Sequence, residues 1–344
     1  MKPIRVLIVD DSPTVQSVLK GIIAREADIE VVGTASDAFE AKEVMQKVMP
    51  DLITLDVEMP RMDGITFLKR LMSFRPLPVI MISSYTRENS RRTFEALDAG
   101  AVDFVAKPSE GVKTDLEVLK YEITRKIRAA AKARIKPSLV FERPKKRVFA
   151  AGIESSNKII AIGASTGGTR AIKRVLGSMP ANANGIVIVQ HMPARFTKTF
   201  AQNLDASCHM DVKEAEHGDR VNRGKVLVAP GGWHLKVASD KNGYYVQLQD
   251  GELVNYQRPS VDVLFQSVAK AATRDAIGIL LTGMGIDGSD GLLTMKEVGA
   301  FTVAQDEATS VVFGMPKSAI EQGAAEVVAA LDDIPRIVLS ALRS

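Results

Sequence analysis

Ser165 is the residue of this sequence best placed for nucleophilic chemistry. It lies in a glycine-rich turn within KIIAIGASTGG, between an apolar run and the segment TRAIKRVL, whose apolar residues recur at helical spacing. This pattern predicts a strand, a tight turn and a helix. A hydroxyl at such a junction projects beyond the sheet edge, where the amides of the first helical turn can stabilise an oxyanion. The same turn could instead hold a phosphate group, and the turn alone supports both interpretations equally.

Two nucleotide-binding patterns are absent from this turn. The dinucleotide pattern G-x-G-x-x-G fails because Gly163 is followed by alanine and serine, and the P-loop pattern fails because Gly168 is followed by threonine and arginine. GASTG does satisfy the loose nucleophile-elbow pattern G-x-S-x-G. That pattern indicates a hydrolase only if the chain also supplies a general base and an orienting acid.

His191 is the preferred general base. It directly follows the apolar run GIVIVQ, so in a parallel sheet it would reach the same edge as Ser165. The other histidines lie in polar segments or beside glycines, and we expect them at the surface or in a bend: His209, His217 and His234. The spacing therefore favours His191 for proton transfer to and from Ser165.

Asp287 and Asp290, in the segment DAIGILLTGMGIDGSDGL, are the candidates for the acid. Either could simply cap the helix predicted to begin near Ser289. A carboxylate bonded to the second ring nitrogen of His191 would fix the tautomer of the ring, and Asp287 is preferred because it lies nearer the strand. The order serine, histidine, acid differs from that of α/β-hydrolases, which predicts a triad on another doubly wound sheet.

Polar residues also end the apolar runs of the first third of the chain. They are Asp10, Asp11, Asp56, Ser83 and Lys107. In a parallel sheet they would meet at one edge, where three carboxylates repel one another unless a hard dication such as Mg²⁺ offsets their charge. An aspartate beside such a metal can attack a phosphoryl group, while a lysine and a hydroxyl hold the added oxygens. This cluster therefore indicates phosphoryl chemistry.

The elements that position both groups form two α/β patterns. β-rich runs alternate with helical spacing from Ile4 to about Arg128 and again from Lys158, which predicts two doubly wound parallel-sheet domains. The stretch from Arg125 to Arg147 is strongly basic and contains prolines, so it is predicted to be a solvated linker, although it could also contact nucleic acid or an acidic partner. The predicted boundaries are 1–125 for the first domain, 126–154 for the linker and 155–344 for the second.

Composition excludes several classes of protein. The 344 residues are 46% hydrophobic and 25% charged with a net charge of +4, which is typical of globular domains. The single cysteine, Cys208, excludes a disulfide framework. We expect a cytoplasmic protein without a transmembrane segment, because the first apolar run is too short for a signal peptide and none approaches about 18 residues.

Residues 3 to 125 resemble the receiver domain of two-component response regulators. The matching features are Asp10-Asp11, Asp56 within LDVEMPRMDG, Ser83, and Lys107 within FVAKP. The resemblance implies a flavodoxin-like fold in which Asp56 accepts a phosphoryl group that Ser83 and Lys107 contact. It also implies that Mg²⁺ is bound by Asp10, Asp11, Asp56 and the backbone carbonyl of Glu58. Phe104 matches the aromatic switch position of the family.

The segments KIIAIGASTGGTRAI, VIVQHMPARF, VAPGGWHL and LLTGMGIDGSDGL resemble the catalytic domain of the chemotaxis protein-glutamate methylesterases, over residues 155 to 344. The resemblance implies Ser165 as nucleophile, His191 as base and Asp287 as orienting acid, with backbone donors to the oxyanion around Met284. It implies demethylation of glutamate methyl esters on chemoreceptors, with release of methanol, and deamidation of glutamines. The implied phosphodonor is the chemotaxis histidine kinase, and no cofactor is expected in this half.

Two other functions remain to be weighed. A DNA-binding response regulator would explain the first domain and the basic linker, but its output domain is normally a compact helix-turn-helix module, which the mixed pattern after Lys158 does not resemble. A nucleotide-binding output domain would use GASTGG for a phosphate, and function would then survive loss of the Ser165 hydroxyl. We therefore expect no nucleic acid partner.

Overall fold

The computed structural model describes residues 2–84, 87–107, 116–135 and 157–343. The chain divides into two compact units, Met1–Phe141 and Glu142–Ser344. A helix over Leu116–Ala131 continues past residue 125. Most of the predicted linker, residues 136–154, lies outside the described residues, and the predicted boundaries stay predictions.

The first unit contains a parallel sheet of five strands, β1 (Ile4–Val9), β2 (Ile29–Ala35), β3 (Leu52–Asp56), β4 (Val79–Ser83) and β5 (Asp103–Ala106). They lie in the order β2-β1-β3-β4-β5. Its helices are α1 (Pro13–Ile23), α2 (Ala38–Val48), α3 (Gly64–Phe74), α4 (Arg87–Asp98) and α5 (Leu116–Ala131). Strands β3 and β4 are buried along their whole length, as expected when helices cover both faces of a parallel sheet. The strand order β2-β1-β3-β4-β5 is that of flavodoxin-like folds, so the fold expected for this unit is confirmed.

The second unit is built on a larger parallel sheet, whose strands are β6 (Ile159–Ala164), β7 (Ile186–Gln190), β8 (Asp211–Glu214), β9 (Lys225–Val228), β12 (Ala276–Leu280), β13 (Phe301–Gln305) and β14 (Val327–Ala329). They lie in the order β14-β13-β12-β6-β7-β9-β8. The strand order reverses between β6 and β12, and such a switch point is where doubly wound sheets bind ligands. Both units are therefore doubly wound α/β domains, as predicted.

An antiparallel hairpin, β10 (His234–Asp240) with β11 (Gly243–Gln249), stands beside this sheet. His234 begins β10 and is buried, with its Nε2 2.8 Å from the carbonyl oxygen of Glu252, so it does not lie in a bend. The helices of the unit are α6 (Gly168–Leu176), α7 (Ala194–Asp205), α8 (Val261–Ala272), α9 (Ser289–Glu297), α10 (Met315–Glu321) and α11 (Ile334–Ala341).

The core of the second unit joins the sheet to α8 and α9. Phe265 of α8 and Met295 of α9 are fully buried in the same apolar cluster as Val189 of β7 and Leu280 of β12. This packing fixes the starts of both helices against the carboxyl ends of the central strands. In the described part of the chain, none of the helices is both long enough and apolar enough to cross a membrane.

Candidate functional site

Three neighbouring strands of the second unit end in the predicted triad. Ser165 follows β6, His191 follows β7, and Asp287 lies in the loop between β12 and α9. Backbone hydrogen bonds tie these strand ends together: His191 N–H donates to the carbonyl oxygen of Ala164 at 3.1 Å, and Ser165 N–H donates to that of Thr282 at 3.0 Å. The three residues therefore share one edge of the sheet, as the positions of their strands predict.

Two hydrogen bonds and one close packing contact hold the turn that carries Ser165. Gly168 N–H donates to the Ser165 carbonyl oxygen at 2.7 Å, and the buried side chain of Gln190 donates to the same oxygen at 2.9 Å. Gly167, which precedes α6, has a φ of +79°, and a Cβ there would lie 2.6 Å from Cβ of Val311. Glycine is needed at this position for both its left-handed backbone and its lack of a side chain.

His191 and Asp287 form a buried pair. His191 Nε2 lies 2.7 Å from Asp287 Oδ2, and both residues are buried. An ionised carboxylate can only accept a hydrogen bond, so Nε2 carries the proton of a neutral ring and Nδ1 offers the free lone pair. Nδ1 is buried and has no hydrogen-bond partner among the described residues. This nitrogen is therefore the one available to a serine hydroxyl, although no hydrogen bond joins Ser165 Oγ to His191 in the described part of the chain.

Asp287 is surrounded by hydrogen-bond donors besides His191. They are Val261 N–H at 2.7 Å, Ser260 Oγ at 2.7 Å, Asn255 Nδ2 at 3.1 Å and Asp262 N–H at 3.3 Å. Burial alone would raise the pKa of Asp287, but the contacts from His191, Ser260 and Val261 lower it below the usual range. The backbone N–H groups of Val261 and Asp262 belong to the first turn of α8, so the dipole of this helix also favours an ionised Asp287. Asp287 is therefore held as a carboxylate facing His191.

Among the described residues, the other candidates for the acid and for the base make no hydrogen bond to the pair of His191 and Asp287. Asp290 is exposed and accepts a hydrogen bond from Gln322 Nε2 at 3.1 Å, away from His191. His209 and His217 are exposed, as expected. His234 Nδ1 accepts a hydrogen bond from Ser260 N–H at 3.3 Å, which places this ring behind the start of α8.

The loop after β12 lies directly against Ser165. An added Cβ on Gly283 would lie 2.8 Å from Ser165 Cβ and 2.3 Å from Met315 Sδ. Only glycine therefore allows the backbone at position 283 to lie this close to Ser165. Met284 is the next residue, and its backbone therefore lies beside the serine turn. This is the neighbourhood from which backbone donors to an oxyanion were expected.

The first unit brings its predicted residues together at the ends of β1, β3 and β5. Oxygens of Asp10, Asp11 and Asp56 lie within 4.8 Å of one another, and Lys107 Nζ lies 2.8 Å from Asp56 Oδ2 and 3.0 Å from Asp10 Oδ2. Burial raises the pKa of Asp56 to about 6, against the opposing effect of Lys107. Asp10 Oδ2 is buried and is paired with the ammonium group of Lys107. A compact set of carboxylate oxygens, with Asp10 and Asp56 buried, suits a hard dication.

The other predicted residues of this site have contacts of their own. Ser83 Oγ is fully buried and accepts a hydrogen bond from Thr93 Oγ1 of α4 at 2.7 Å. The Phe104 ring is buried against Phe94, with ring centroids 6.3 Å apart. The Glu58 carboxylate lies 3.7 Å from Arg92 Nη1, and the contact expected of Glu58 in this site uses its backbone carbonyl instead.

Comparison with known proteins identifies a family for each of the two units. Residues 160–338 match the family model described as CheB methylesterase, and residues 6–116 match the one described as response regulator receiver domain. The chain belongs to the CheB methylesterase family. The resemblance noted from the sequence is thereby confirmed for both halves.

Relatives match this chain over its whole length. The protein-glutamate methylesterase/protein-glutamine glutaminase 1 of Geobacter metallireducens is 50% identical, with 100% of this chain and 97% of the relative aligned. The enzyme of the same name from Chromohalobacter salexigens is 50% identical over 98% of this chain and 95% of its own. The CheB methylesterase catalytic domain of Thermotoga maritima is 40% identical, with a TM-score of 0.53, and covers 54% of this chain and 99% of the solved domain.

Sequence reasoning missed the residues of the CheB methylesterase domain that surround the triad. Ser260 could have been recognised as an N-cap, because a serine precedes the apolar segment VDVLF. Its contact with Asp287 could not, since the two residues are far apart in sequence. Gln190, Asn255 and Asp262 carry no local signal for the contacts that they make.

Proposed function

We propose that this chain is a phosphorylation-regulated protein-glutamate methylesterase that also deamidates glutamines, with chemoreceptors of the chemotaxis system as its substrates. The observation that carries the proposal is the buried pair of His191 and Asp287 at the strand ends that also carry Ser165. Membership of the CheB methylesterase family supports the substrate class. The proposed physiological role is adaptation in chemotaxis.

In the proposed reaction, Ser165 Oγ attacks the γ-carbonyl carbon of a glutamyl methyl ester while His191 Nδ1 takes the hydroxyl proton. The negative charge that develops on the carbonyl oxygen is met by backbone donors of the Met284 loop and the first turn of α6. His191 then passes its proton to the departing methoxide, which leaves as methanol, and an acyl-enzyme remains on Ser165.

Water completes the cycle. His191 Nδ1 removes a proton from the water, whose oxygen attacks the acyl carbon, and the same proton returns to Ser165 as the glutamate is released. Asp287 keeps the proton on Nε2 throughout and stabilises the imidazolium. A glutamine substrate follows the same route with ammonia as the leaving group. These steps use only residues of the chain and water.

For the receiver domain we propose Asp56 as phosphoacceptor, with a chemotaxis histidine kinase as phosphodonor. The proposed ligands of Mg²⁺ are Asp10, Asp11, Asp56 and the backbone carbonyl of Glu58. When bound, the ion would offset the carboxylate charges and the charge of the incoming phosphoryl group. Ser83 and Lys107 would contact the phosphoryl oxygens once Ser83 exchanges its bond to Thr93.

We also propose the domain boundaries 1–125, 126–154 and 155–344, with the last turns of α5 (Leu116–Ala131) extending past the first boundary, and a cytoplasmic location. Both proposals rest on the family resemblance. Methanol release from methylated receptor membranes tests the function, with and without Mg²⁺ and a small acyl-phosphate donor. We expect release by the full chain that increases with the phosphodonor. Absence of release by the folded chain under every condition would refute the proposed substrate and favour the phosphate-binding interpretation of GASTGG.

A further inference from the structure

Asp287 occupies the N-terminus of α8. Its two oxygens accept hydrogen bonds from the amides of Val261 and Asp262, the first two residues of that helix, at 2.7 and 3.3 Å. The N-cap residue, Ser260, donates its hydroxyl to the same carboxylate at 2.7 Å. A carboxylate from the loop before α9 thus satisfies the unpaired donors that begin α8.

Asp262 makes the reverse contact. Its side chain, which projects from the first turn of α8, accepts a hydrogen bond from the amide of Gly291 in the first turn of α9 at 2.7 Å. The residue that precedes α9, Gly288, has no side chain with which to cap the helix. Each helix therefore receives its capping carboxylate from the chain segment that begins the other.

Asn255 joins the two carboxylates. Its Nδ2 lies 2.8 Å from Asp262 Oδ2 and 3.1 Å from Asp287 Oδ1, so the two hydrogens of one amide group can serve both acids. Asn255 has a φ of +51°, a left-handed conformation that asparagine tolerates better than most residues. Asp262 is buried and takes no direct part in the proposed reaction.

We propose that Asp262 and Asn255 are positioning residues for the triad, which act on catalysis through Asp287. Removing Asp262 would release the first turn of α9 and the loop that carries Asp287, and removing Asn255 would take one donor from each acid. Asp287 would then no longer be held at 2.7 Å from His191 Nε2. Misplacement of a reacting group by about 1 Å costs on the order of 100-fold in rate.

Steady-state kinetics of methanol release with Asp262→Ala and Asn255→Ala would test this inference, which rests on the proposed esterase function. We expect kcat to fall about 10- to 100-fold in each variant with KM nearly unchanged. Asp262→Asn keeps an oxygen for the Gly291 amide and serves as the variant most certain to fold, with a smaller expected loss. Asp290→Asn is the matched control, because Asp290 is an exposed acid in the same first turn of α9.

A double-mutant cycle separates positioning from a structural role. If Asp262 acts through Asp287, then Asp262→Ala in an Asp287→Ala background should lower kcat no further, because the interaction that it supports is already lost. Full additivity of the two losses would overturn the proposal. So would a kcat unchanged in both Asp262→Ala and Asn255→Ala.

Proton NMR of the substrate-free full chain gives a readout that does not depend on the esterase assay. The proton on His191 Nε2, which is shared with Asp287, should give a low-field resonance in the wild type and in Asp290→Asn. That resonance should shift or disappear in Asp262→Ala and Asn255→Ala. An unchanged resonance in both variants would refute the positioning role. Because this measurement needs no substrate, its result holds even if the proposed substrate is wrong.

Discussion

Replacement of Asp287 by asparagine should nearly abolish turnover, because no orientation of an amide suits this site. If the amide nitrogen takes the place of Oδ2, it faces two donors, His191 Nε2–H and Val261 N–H, each at 2.7 Å. If it takes the place of Oδ1, it faces the amide of Asn255 and the backbone N–H of Asp262 instead. Either way, the variant loses the charge that stabilises the imidazolium.

The expected magnitude follows from the lost control of the tautomer. An amide at position 287 can hold His191 with its proton on Nδ1, where the ring cannot accept the proton of Ser165. The same substitution in a serine protease triad lowers kcat about 10⁴-fold, which corresponds to about 5.4 kcal/mol of transition-state stabilisation. Leaving one buried donor unsatisfied should also lower the free energy of unfolding by about 1–3 kcal/mol.

The assay is single-turnover methanol release from methylated receptor membranes, with circular dichroism to verify that the variant is folded. Asp290→Asn is the control, since it removes an exposed acid three residues away without touching His191. We expect Asp290→Asn to retain nearly full activity. A folded Asp287→Asn variant that keeps more than about a tenth of wild-type turnover would refute the role given to Asp287.

Three further predictions follow from other contacts. Gly283→Ala should lower kcat about 100-fold or more, because its Cβ would lie 2.8 Å from Ser165 Cβ; activity near wild type would contradict this. Asp56→Asn should remove the increase in methanol release caused by a phosphodonor, and a remaining increase would exclude Asp56 as phosphoacceptor. Burial and the neighbouring Asp287 carboxylate raise the pKa of Asp262 to about 7, so the folded protein favours the protonated form of this side chain. The stabilisation by protonated Asp262 is complete below about pH 4 and is lost as the pH rises through about 7. Asp262→Asn should therefore be less destabilising in urea unfolding at about pH 8 than at about pH 5, and the opposite order would refute the shifted pKa.

The sequence was sufficient to predict which residues meet at each sheet edge. In a parallel sheet, residues that follow neighbouring strands must lie at the same edge, so the positions of Ser165, His191 and Asp287 after apolar runs already predicted their proximity. The same argument held for Asp10 and Asp56. Both predictions depended on strand ends, which composition and periodicity mark clearly.

Contacts between distant loops could not be predicted in this way. The exchange of capping carboxylates joins Asp262 and Asp287, which are 25 residues apart, and no local pattern distinguishes it from ordinary N-capping. The ring nitrogen that His191 presents to Asp287 depends on side-chain rotamers fixed by packing. The hairpin of β10 and β11 did leave a signal, an Asn-Gly pair between alternating apolar residues, and that signal was missed.

Charge patterning was misleading at the end of the receiver domain. Lys126 belongs to the basic stretch predicted to be a solvated linker, but it is buried in α5, with its Nζ 2.9 Å from Glu122 and 3.4 Å from Asp103. Its ammonium group also lies 5.0 Å from the centre of the Phe104 ring. A lysine can be buried when acids and a ring face surround it, and sequence position alone does not reveal them.

The most direct test of the proposed chemistry is the turnover number for methanol release by Ser165→Ala beside Ser178→Ala, which removes a serine hydroxyl two residues beyond the end of α6. The proposed mechanism predicts that Ser178→Ala retains its activity. It predicts that Ser165→Ala loses about 10⁶-fold, as comparable hydrolases do without their nucleophile. A folded Ser165→Ala variant that retained most of its activity would contradict nucleophilic catalysis by Ser165.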